Sequence, residues 1–348
     1  MSLRAQIIAF VALVGLALPL ASASADDVSA DPGKLPFDSY VQLLAARARA
    51  DGVSEATIQA MTSGLTPNGR VITLDRAQPG TPSQRTGFPL LAPYIRNHVD
   101  RMRIAAGRKI FEDEGARAAK LEQTYGVPAQ ILIAIWGHET NYGSITGNFD
   151  LAQSLATLAW EGRRRDLFAT EFVDLLKIAD NGVPRSVLKG SWAGAFGNPQ
   201  FLPSVYLRLA VDGDGDGRKD IWDDEADTLA SIANYFRDAG WRAGQPWGVA
   251  ANISAGFDVD AYRSKLRAPV CPRVHVRHSV WKTVAEWKAL GVEPQAPIAD
   301  GTLTSLFQPD GPGTPAWLLT GNYRVILEYN CSNYYAMSVG LLADEIVR

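Results

Sequence analysis

A single acidic side chain, Glu139, stands at the end of a strongly apolar stretch, which is a position that suits a catalytic acid. Residues 129–136 contain one polar residue, Gln130, and Pro128 precedes them. This pattern predicts a helix that opens at Pro128, is buried on most faces and stops at Gly143. Burial and the negative end of the helix dipole both raise the pKa of a carboxyl group, and a carboxylic acid that stays protonated near neutral pH can act as a general acid. The alternative is a surface glutamate at a frayed helix end.

The stretch 190–204 is the second candidate for chemistry. It reads Gly-Ser-Trp-Ala-Gly-Ala-Phe-Gly-Asn-Pro-Gln-Phe-Leu-Pro-Ser and has no helical or strand periodicity. Glycine allows a backbone to approach a ligand closely, so this is either a ligand-binding loop or a purely structural one. Asn, Gln, Tyr and Trp side chains around one acid favour a neutral polyhydroxy substrate.

Other catalytic chemistries lack their residues. His138-Glu139 does not continue into a zinc-protease motif, because the residue four after His138 is Tyr142 and the chain has only 4 His. A phosphate loop and a G-x-S-x-G motif are both missing, and Ser191 has no nearby His to activate it. We expect His138 to be structural.

An aspartate-rich segment at 212–223 predicts a cation site. It opens with Asp-Gly-Asp-Gly-Asp-Gly, which fits the first half of a calcium loop. Hard Ca²⁺ prefers several oxygen ligands, and the candidates, five carboxylates and one backbone carbonyl, are Asp212, Asp214, Asp216, Arg218 (carbonyl), Asp223 and Asp227. Asp223 stands where a bidentate Glu is usual, so Asp227 on the next helix is an alternative last ligand. Because helices flank the loop, we expect a structural Ca²⁺; the alternative is a solvated acidic loop.

The first residues predict export. Arg4, an apolar run over 7–20 and Ala23-Ser24-Ala25 form a signal peptide over residues 1–25. The apolar run is short for a membrane span, and there is no cysteine near the cleavage site for a lipid. We therefore expect a soluble periplasmic protein, monomeric and without stable membrane insertion, with one catalytic region over 26–348.

Composition bounds the partner. The net charge is −3, and losing Arg4 makes it −4, which argues against nucleic acid. The mature chain of about 320 residues can bury a sizeable core. The 2 cysteines, Cys271 and Cys331, are expected to form one disulfide in an oxidising compartment, the alternative being two buried thiols.

The elements around these residues are mostly helical. Tyr94–Tyr125 has a helical apolar spacing and predicts one long helix. Arg70–Leu74, Val270–Arg277 and Arg324–Tyr329 alternate like strands, and Ser279 is placed to cap a helix. The expected fold class is α+β, mainly α, with a small late β-sheet.

Several motifs in order resemble the lytic murein transglycosylase B family of lysozyme-like enzymes. The resemblance runs from about Tyr40 to the C-terminus. It rests on residues 137–143 (GHETNYG), 163–168 (RRRDLF), 190–204, the aspartate loop, 234–236 (NYF) and 329–332 (YNCS). It implies a lysozyme-like catalytic core with an additional helical segment and a calcium loop at 212–227 whose last ligand is Asp227.

The resemblance also implies a reaction. Glu139 matches the family's single acid/base, which cleaves the MurNAc–GlcNAc bond of peptidoglycan glycan strands. It protonates the glycosidic oxygen and then takes the proton of the muramoyl C6 hydroxyl, which attacks C1 and gives a 1,6-anhydro product. A second carboxylate is then unnecessary, and no cofactor takes part in the chemistry.

The implied substrate contacts are polar or aromatic residues of the cleft: Tyr94, Arg164, Arg165, Ser191, Gln200, Tyr235, Tyr329, Asn330 and Tyr335. Trp192, Phe196 and Leu202 depart from the family pattern, which expects Tyr, Met and Met there. Two other functions stay open at this point: a muramidase that uses water on the same fold, and an inactive peptidoglycan-binding scaffold.

Overall fold

The computed structural model describes residues 35–78, 89–265, 271 and 274–348. The predicted signal peptide lies outside these residues. The α-helices are α1 Phe37–Ala50, α2 Glu55–Thr62, α3 Gly69–Arg76, α4 Leu91–His98, α5 Arg101–Asp113, α6 Gly115–Tyr125, α7 Ala129–Thr140, α8 Leu151–Glu161, α9 Arg165–Asp180, α10 Pro203–Leu209, α11 Glu225–Asp238, α12 Val284–Ala289, α13 Gly321–Tyr329 and α14 Asn333–Ile346. The strands are β1 Phe149–Asp150, β2 Lys189–Gly190, β3 Gly248–Ile253, β4 Trp281–Thr283, β5 Val292–Pro294, β6 Leu303–Phe307 and β7 Ala316–Leu319. The expected mainly helical α+β class is confirmed.

The strands form two antiparallel sheets. β1 pairs with β2, and the late sheet has the order β4-β6-β7-β3-β5. In its centre Val249 lies opposite Leu318, and Leu306 lies opposite Leu318 on the other side. These three side chains are buried against Trp287 of α12, so one face of the sheet carries its own small core.

Two larger cores are helical. The first lies among α1, α2, α8 and α9 and includes Leu44, Leu155 and Phe172. The second surrounds α7, with side chains from α11, α13 and α14 packed against its apolar residues. Burying α7 on nearly all faces is what its sequence predicted.

Helix caps overrule the strand-like pattern in two places. Arg70–Leu74 lies in helix α3, because the Asn68 side chain accepts hydrogen bonds from the backbone N–H groups of Arg70 and Val71. Arg324–Tyr329 lies in helix α13, whose start is capped by Thr320. The strand predictions for both segments are wrong.

The predicted long helix over Tyr94–Tyr125 is also wrong. The chain leaves helical geometry after His98, and the Asp100 carboxylate caps a new helix, α5. A further break at Glu114 separates α5 from α6. This segment therefore consists of three shorter helices, α4, α5 and α6.

Two smaller differences from the sequence predictions concern a predicted strand and a predicted helix cap. Residues 274–277 form a 3₁₀ turn instead of a strand, and 270, 272 and 273 lie outside the described residues. Thr283, not Ser279, caps the helix before Leu290, with Glu286 completing a capping box.

The disulfide Cys271–Cys331 is confirmed, with a sequence separation of 60 residues. It joins the chain before the 3₁₀ turn to the connection between α13 and α14. Within the ranges that the structure describes, none of the helices has both the length and the apolarity needed to cross a bilayer.

Candidate active site

Glu139 lies in the last turn of helix α7, and the residues before it in this helix form part of the core. Residues 131–137 are all buried, so the helix is fixed in position by packing. It ends because Asn141 and Tyr142 adopt left-handed backbone conformations, with φ of 49° and 56°. The predicted stop at Gly143 is thus two residues late, and Pro128 stands just before the helix.

Tyr335 of α14 contacts the Glu139 carboxyl directly. Its hydroxyl donates a hydrogen bond to Glu139 Oε1 at 2.6 Å, and the Tyr335 side chain is buried. Burial raises the pKa of Glu139 to about 7, against a weaker opposing effect of this hydrogen bond. Near neutral pH a large fraction of Glu139 is therefore protonated and able to donate a proton.

The charge of Glu139 also affects the pKa of two further tyrosines, Tyr94 and Tyr329. Burial raises the pKa of Tyr94 and Tyr329, and the charge of Glu139 raises both further. The Tyr329 hydroxyl donates to the Pro199 carbonyl at 2.6 Å, and its ring lies 4.7 Å from that of Tyr235. The structure thus brings together side chains that the sequence analysis named from α4, α11, α13 and α14.

Tyr235 and Asn330 border this group at the C-terminal end of α13. The Tyr235 hydroxyl donates to the Glu328 carbonyl at 2.9 Å, and burial raises the pKa of Tyr235 to about 12. Asn330 follows Tyr329 as the exposed C-cap of α13. Its side chain is therefore free of the core and next to the tyrosine group.

The loop 190–204 packs against the end of α7. Thr140 Oγ1 donates to the Asn198 carbonyl at 3.1 Å, which ties the loop to the turn that carries Glu139. Gln200 has a left-handed backbone, and its Nε2 donates to the Thr146 and Gly197 carbonyls at 3.1 and 3.0 Å. Ser191 Oγ accepts from the Ala195 N–H at 3.0 Å. Both predicted loop residues are held by the backbone of their own region.

The glycines of this loop are needed by the protein itself. A Cβ on Gly194 would lie 2.5 Å from Leu155, and one on Gly190 would collide with the Ala195 carbonyl. Internal packing therefore explains these two glycines without a ligand.

Arg164 and Arg165 make their contacts with a different set of helices. Arg164 Nη2 pairs with Asp75 Oδ1 at 2.8 Å, and Asp75 is 1% exposed. The Arg165 guanidinium lies 5.1 Å above the Tyr40 ring. Their partners belong to α1 and α3, not to the tyrosine group at Glu139.

The aspartate loop gathers three of its predicted ligands. Asp212, Asp214 and Asp227 each offer a carboxylate oxygen, and these oxygens lie within 4.8 Å of one another. Asp227 is buried and accepts from the Gly213 N–H at 2.6 Å and from the Asp220 N–H, whereas Asp223 is exposed. Three hard oxygens at one point fit Ca²⁺, and Asp227 is placed to complete the set.

The other predicted ligands are arranged differently. The Asp216 carboxylate pairs with the Arg218 guanidinium at 3.0 Å. A backbone hydrogen bond from Gly217 lowers the pKa of Asp212, while burial raises that of Asp227. The loop keeps its turns through Asp side chains that bind backbone N–H groups.

The sequence analysis missed a layer of rings behind the site. His98 stacks on Tyr94 with ring centroids 3.7 Å apart, and the His138 ring lies 5.7 Å from that of Tyr335. Burial lowers the pKa of His138 to about 3, so it is neutral and supports the tyrosines by packing. The spacing of Tyr94 and His98, four residues apart on a helix, is the signal that could have revealed the first pair.

Residues 36–344 match the family described as Transglycosylase SLT domain. The chain is 35% identical over 227 residues to the membrane-bound lytic murein transglycosylase B of Escherichia coli (strain K12), which is 64% of this chain and 58% of that protein. The match thus spans less than two thirds of the length of this relative.

Solved structures share the fold. SltB3 from Pseudomonas aeruginosa, in complex with NAG-anhNAM-pentapeptide, superposes with a TM-score of 0.80 at 36% identity, covering 89% of this chain and 79% of that one. The Escherichia coli lytic transglycosylase Slt35 in complex with calcium gives 0.73 at 28% identity, covering 88% and 92%. The lysozyme-like transglycosylase fold that the sequence predicted is confirmed.

Proposed function

The chain belongs to the transglycosylase SLT family, and from that premise we propose that it is a peptidoglycan lytic transglycosylase with Glu139 as its single acid/base. The observation that carries the proposal is the carboxyl group of Glu139, which is partly buried at a helix end, accepts a hydrogen bond from Tyr335 and has a pKa raised to about 7. A group half protonated near pH 7 can both give and take a proton within one reaction cycle.

In the proposed reaction, protonated Glu139 gives its proton to the oxygen between MurNAc C1 and the next GlcNAc. The C1–O bond breaks with oxocarbenium-like charge at C1. The carboxylate then accepts the proton of the C6 hydroxyl of the same MurNAc, whose oxygen bonds to C1. The products are a 1,6-anhydromuramoyl end and a free GlcNAc hydroxyl, and no water is consumed.

The surroundings of Glu139 support this route. Ordinary glycosidases place a second carboxylate roughly 5–10 Å from the acid. The groups around Glu139 include the phenols of Tyr94, Tyr329 and Tyr335, and the charge of Glu139 raises the pKa of all three. A nucleophile supplied by the substrate fits such a site.

Product mass tests the proposal. Purified protein is incubated with peptidoglycan sacculi beside Glu139→Gln and a control, Glu293→Gln, which changes an exposed glutamate. We expect anhydro-muropeptides from the parent chain and the control and none from Glu139→Gln. Products one water heavier would instead mean a muramidase, and equal release by Glu139→Gln would remove Glu139 from its role.

We further propose one structural Ca²⁺, held by Asp212, Asp214 and Asp227 with help from Asp216 and the Arg218 carbonyl. The convergence of three carboxylates supports it, since unscreened like charges so close repel each other. The ion would fix the loop between α10 and α11 and would supply no step of the reaction.

The proposed place of action is the periplasm, as a monomer. The Cys271–Cys331 disulfide supports an oxidising compartment. N-terminal sequencing of the exported protein is expected to begin at Asp26, and ultracentrifugation to give the mass of one chain. An intact residue 1 on the exported protein would contradict the export signal.

A further inference from the structure

A second concave surface lies on the late sheet, outside the residues that surround Glu139. It is a hollow of ≈ 590 Å³ formed by the end of β3 and its following loop, by Gln295 after β5, and by the connection between β6 and β7. A smaller hollow of ≈ 230 Å³ shares Phe257, Gln308 and Pro312 with it. We call the two together the sheet groove.

Among the described residues, those that line the larger hollow are all uncharged. In a chain with 20% charged residues, a concave site of this size without a charge favours neutral ligands. The smaller hollow has three charged side chains: Asp260 and Arg263 pair with each other at 2.7 Å, and the Asp258 carboxylate accepts from the N–H groups of Asp260 and Ala261. Recognition in the larger hollow therefore depends on hydrogen bonds and apolar contact.

Gln308 is the deepest polar group, at the point where the two hollows meet. Its side chain is 8% exposed, and its Nε2 donates to the Thr314 carbonyl at 3.0 Å. Its Oε1 accepts no hydrogen bond from any residue that the structure describes. An acceptor that is held in place by the Thr314 contact, has no protein partner and stays open to solvent can accept a hydrogen bond from a ligand.

The rest of the lining completes a pattern typical of sugar recognition. Gln295 Nε2 donates to Asn252 Oδ1 at 2.8 Å, which leaves one amide donor group and one amide acceptor for a ligand. The Phe257 ring is held by stacking on Tyr262, with centroids 5.2 Å apart and 9° between the planes. An aromatic face beside paired amides suits an acetamido sugar, whose ring has apolar C–H groups and whose side group has one N–H and one C=O.

The wall of the groove is also joined to the active site. Just after Gln308, the Asp310 carboxylate accepts from the backbone N–H groups of Leu91 and Ala92 at 2.6 and 3.1 Å, at the start of α4. That helix carries Tyr94, whose pKa is raised by the charge of Glu139. The wall of the groove is therefore joined directly to the helix that carries Tyr94.

We propose that the sheet groove is a second glycan-binding site, which holds an N-acetylated amino sugar of the strand away from the bond that is cleaved. The proposal rests on the proposed function, because the same polymer occupies both sites. Its role is to keep the enzyme on an insoluble strand while the active site acts on another part of that strand.

The test separates holding from cleavage. Gln308→Leu removes the unpartnered acceptor, Gln295→Ala removes an exposed amide, and Gln42→Ala is the control because it truncates an exposed glutamine on α1. Each change is made in the parent chain and in the Glu139→Gln chain, with folding checked by thermal unfolding. The Glu139→Gln chains are titrated with chitotriose and sedimented with sacculi, and the active chains are assayed on a short soluble glycan.

We expect two chitotriose sites per Glu139→Gln chain, and a loss of affinity of about tenfold at one of them in Gln308→Leu and less in Gln295→Ala. Sacculus binding by these groove variants should fall severalfold, whereas cleavage of the short glycan by the active chains should stay within about twofold of the parent. One chitotriose site, or full binding by both folded groove variants, would overturn the proposal, as would binding of a neutral peptide in place of the sugar. Loss of cleavage in the parent chain would instead count against the proposed function.

Discussion

The carboxyl group of Glu139 is held where its charged form is disfavoured, so its ionisation opposes folding. Its pKa is about 7 in the folded protein and near the ordinary 4.5 when unfolded. Below pH 4.5 both states are protonated and the effect is absent. Between pH 4.5 and 7 the folded state binds more protons, so the stability of the protein falls as pH rises, and the penalty for ionising Glu139 is complete above pH 7.

Glu139→Gln is therefore expected to stabilise the protein at pH 8 by about 1–3 kcal/mol, because the amide carries no charge to bury. The gain should disappear toward pH 4.5. Urea unfolding of the parent and the variant at both pH values measures it, with exposed Glu293→Gln as a control that shows no such difference. An equal gain at both pH values would show that the folded protein does not disfavour the charged form of Glu139.

Tyr335→Phe tests the other half of this pair. The donated hydrogen bond lowers the pKa of Glu139, so its removal raises that pKa further. The alkaline limb of kcat/KM against pH is expected to move to higher pH, because the general acid keeps its proton longer. Tyr334→Phe, which changes the neighbouring phenol, should leave the limb in place. A limb that moves to lower pH in Tyr335→Phe would contradict the assignment.

At the scale of elements, the end of α7 depends on a close fit between Gly137 and Tyr142. A Cβ on Gly137 would lie 2.6 Å from the ring of Tyr142. Tyr142 is held in place because its backbone is left-handed and its hydroxyl donates to the Arg103 carbonyl. The site thus requires a glycine inside a helix, where alanine would ordinarily be better.

Gly137→Ala is expected to destabilise the protein by about 1–3 kcal/mol, since overpacking outweighs the helix preference of alanine. Gly115→Ala in α6 is the matched change, because a Cβ there meets nothing within 4 Å. It should be neutral or stabilising by up to about 1 kcal/mol. Urea midpoints of the two variants decide, and two changes of the same sign would disprove the fit.

The aspartate loop gives a second prediction at this scale. If Asp227 closes the proposed cation site, Ca²⁺ raises the melting temperature of the parent chain and of Asp223→Asn, but not that of Asp227→Asn. Melting curves with Ca²⁺ and with chelator measure this. Because Asp227 also holds two backbone N–H groups, its variant should melt lower even in chelator. Loss of the Ca²⁺ effect in Asp223→Asn alone would reverse the choice.

Local signals predicted some elements well and others poorly. Helix α7 begins directly after Pro128 as expected, because this start signal acts within one turn. Arg324–Tyr329 alternates in sequence but is helical, because Val325, Ile326 and Leu327 are all buried by the helices around them. Apolar neighbours on every side remove the pattern by which a strand and a buried helix differ.

The same limit of local sequence patterns applies to the active site. The sequence alone pointed to Glu139 through its helix end and to the aspartates through their spacing. The pairing of Glu139 with Tyr335 joins residues 196 apart, and no local pattern reports such a contact. Tyr335 was predicted only through the resemblance to a family. The stacking of His98 on Tyr94 is seen only in the folded structure.

At the scale of the whole molecule, the disulfide joins the late sheet region to the last helices. Closing a loop of 60 residues stabilises a protein by about 4 kcal/mol when the unfolded chain is otherwise free. The double variant Cys271→Ser, Cys331→Ser is expected to lose roughly 2–4 kcal/mol in urea unfolding. Parent protein in reductant should match it, and a parent that is indifferent to reductant would show that the bond is dispensable.

The pairing of α7 with α14 has a consequence for how the protein is made. Glu139 precedes Tyr335 by 196 residues, so a nascent chain carries the acid long before its phenol. Tyr329 also follows Glu139 in the chain, on α13. A ribosome that stalls before α14, or a protease that removes α14, leaves a product whose acid lacks the Tyr335 hydroxyl. The site is therefore complete only after α14 has been synthesised and has packed against α7.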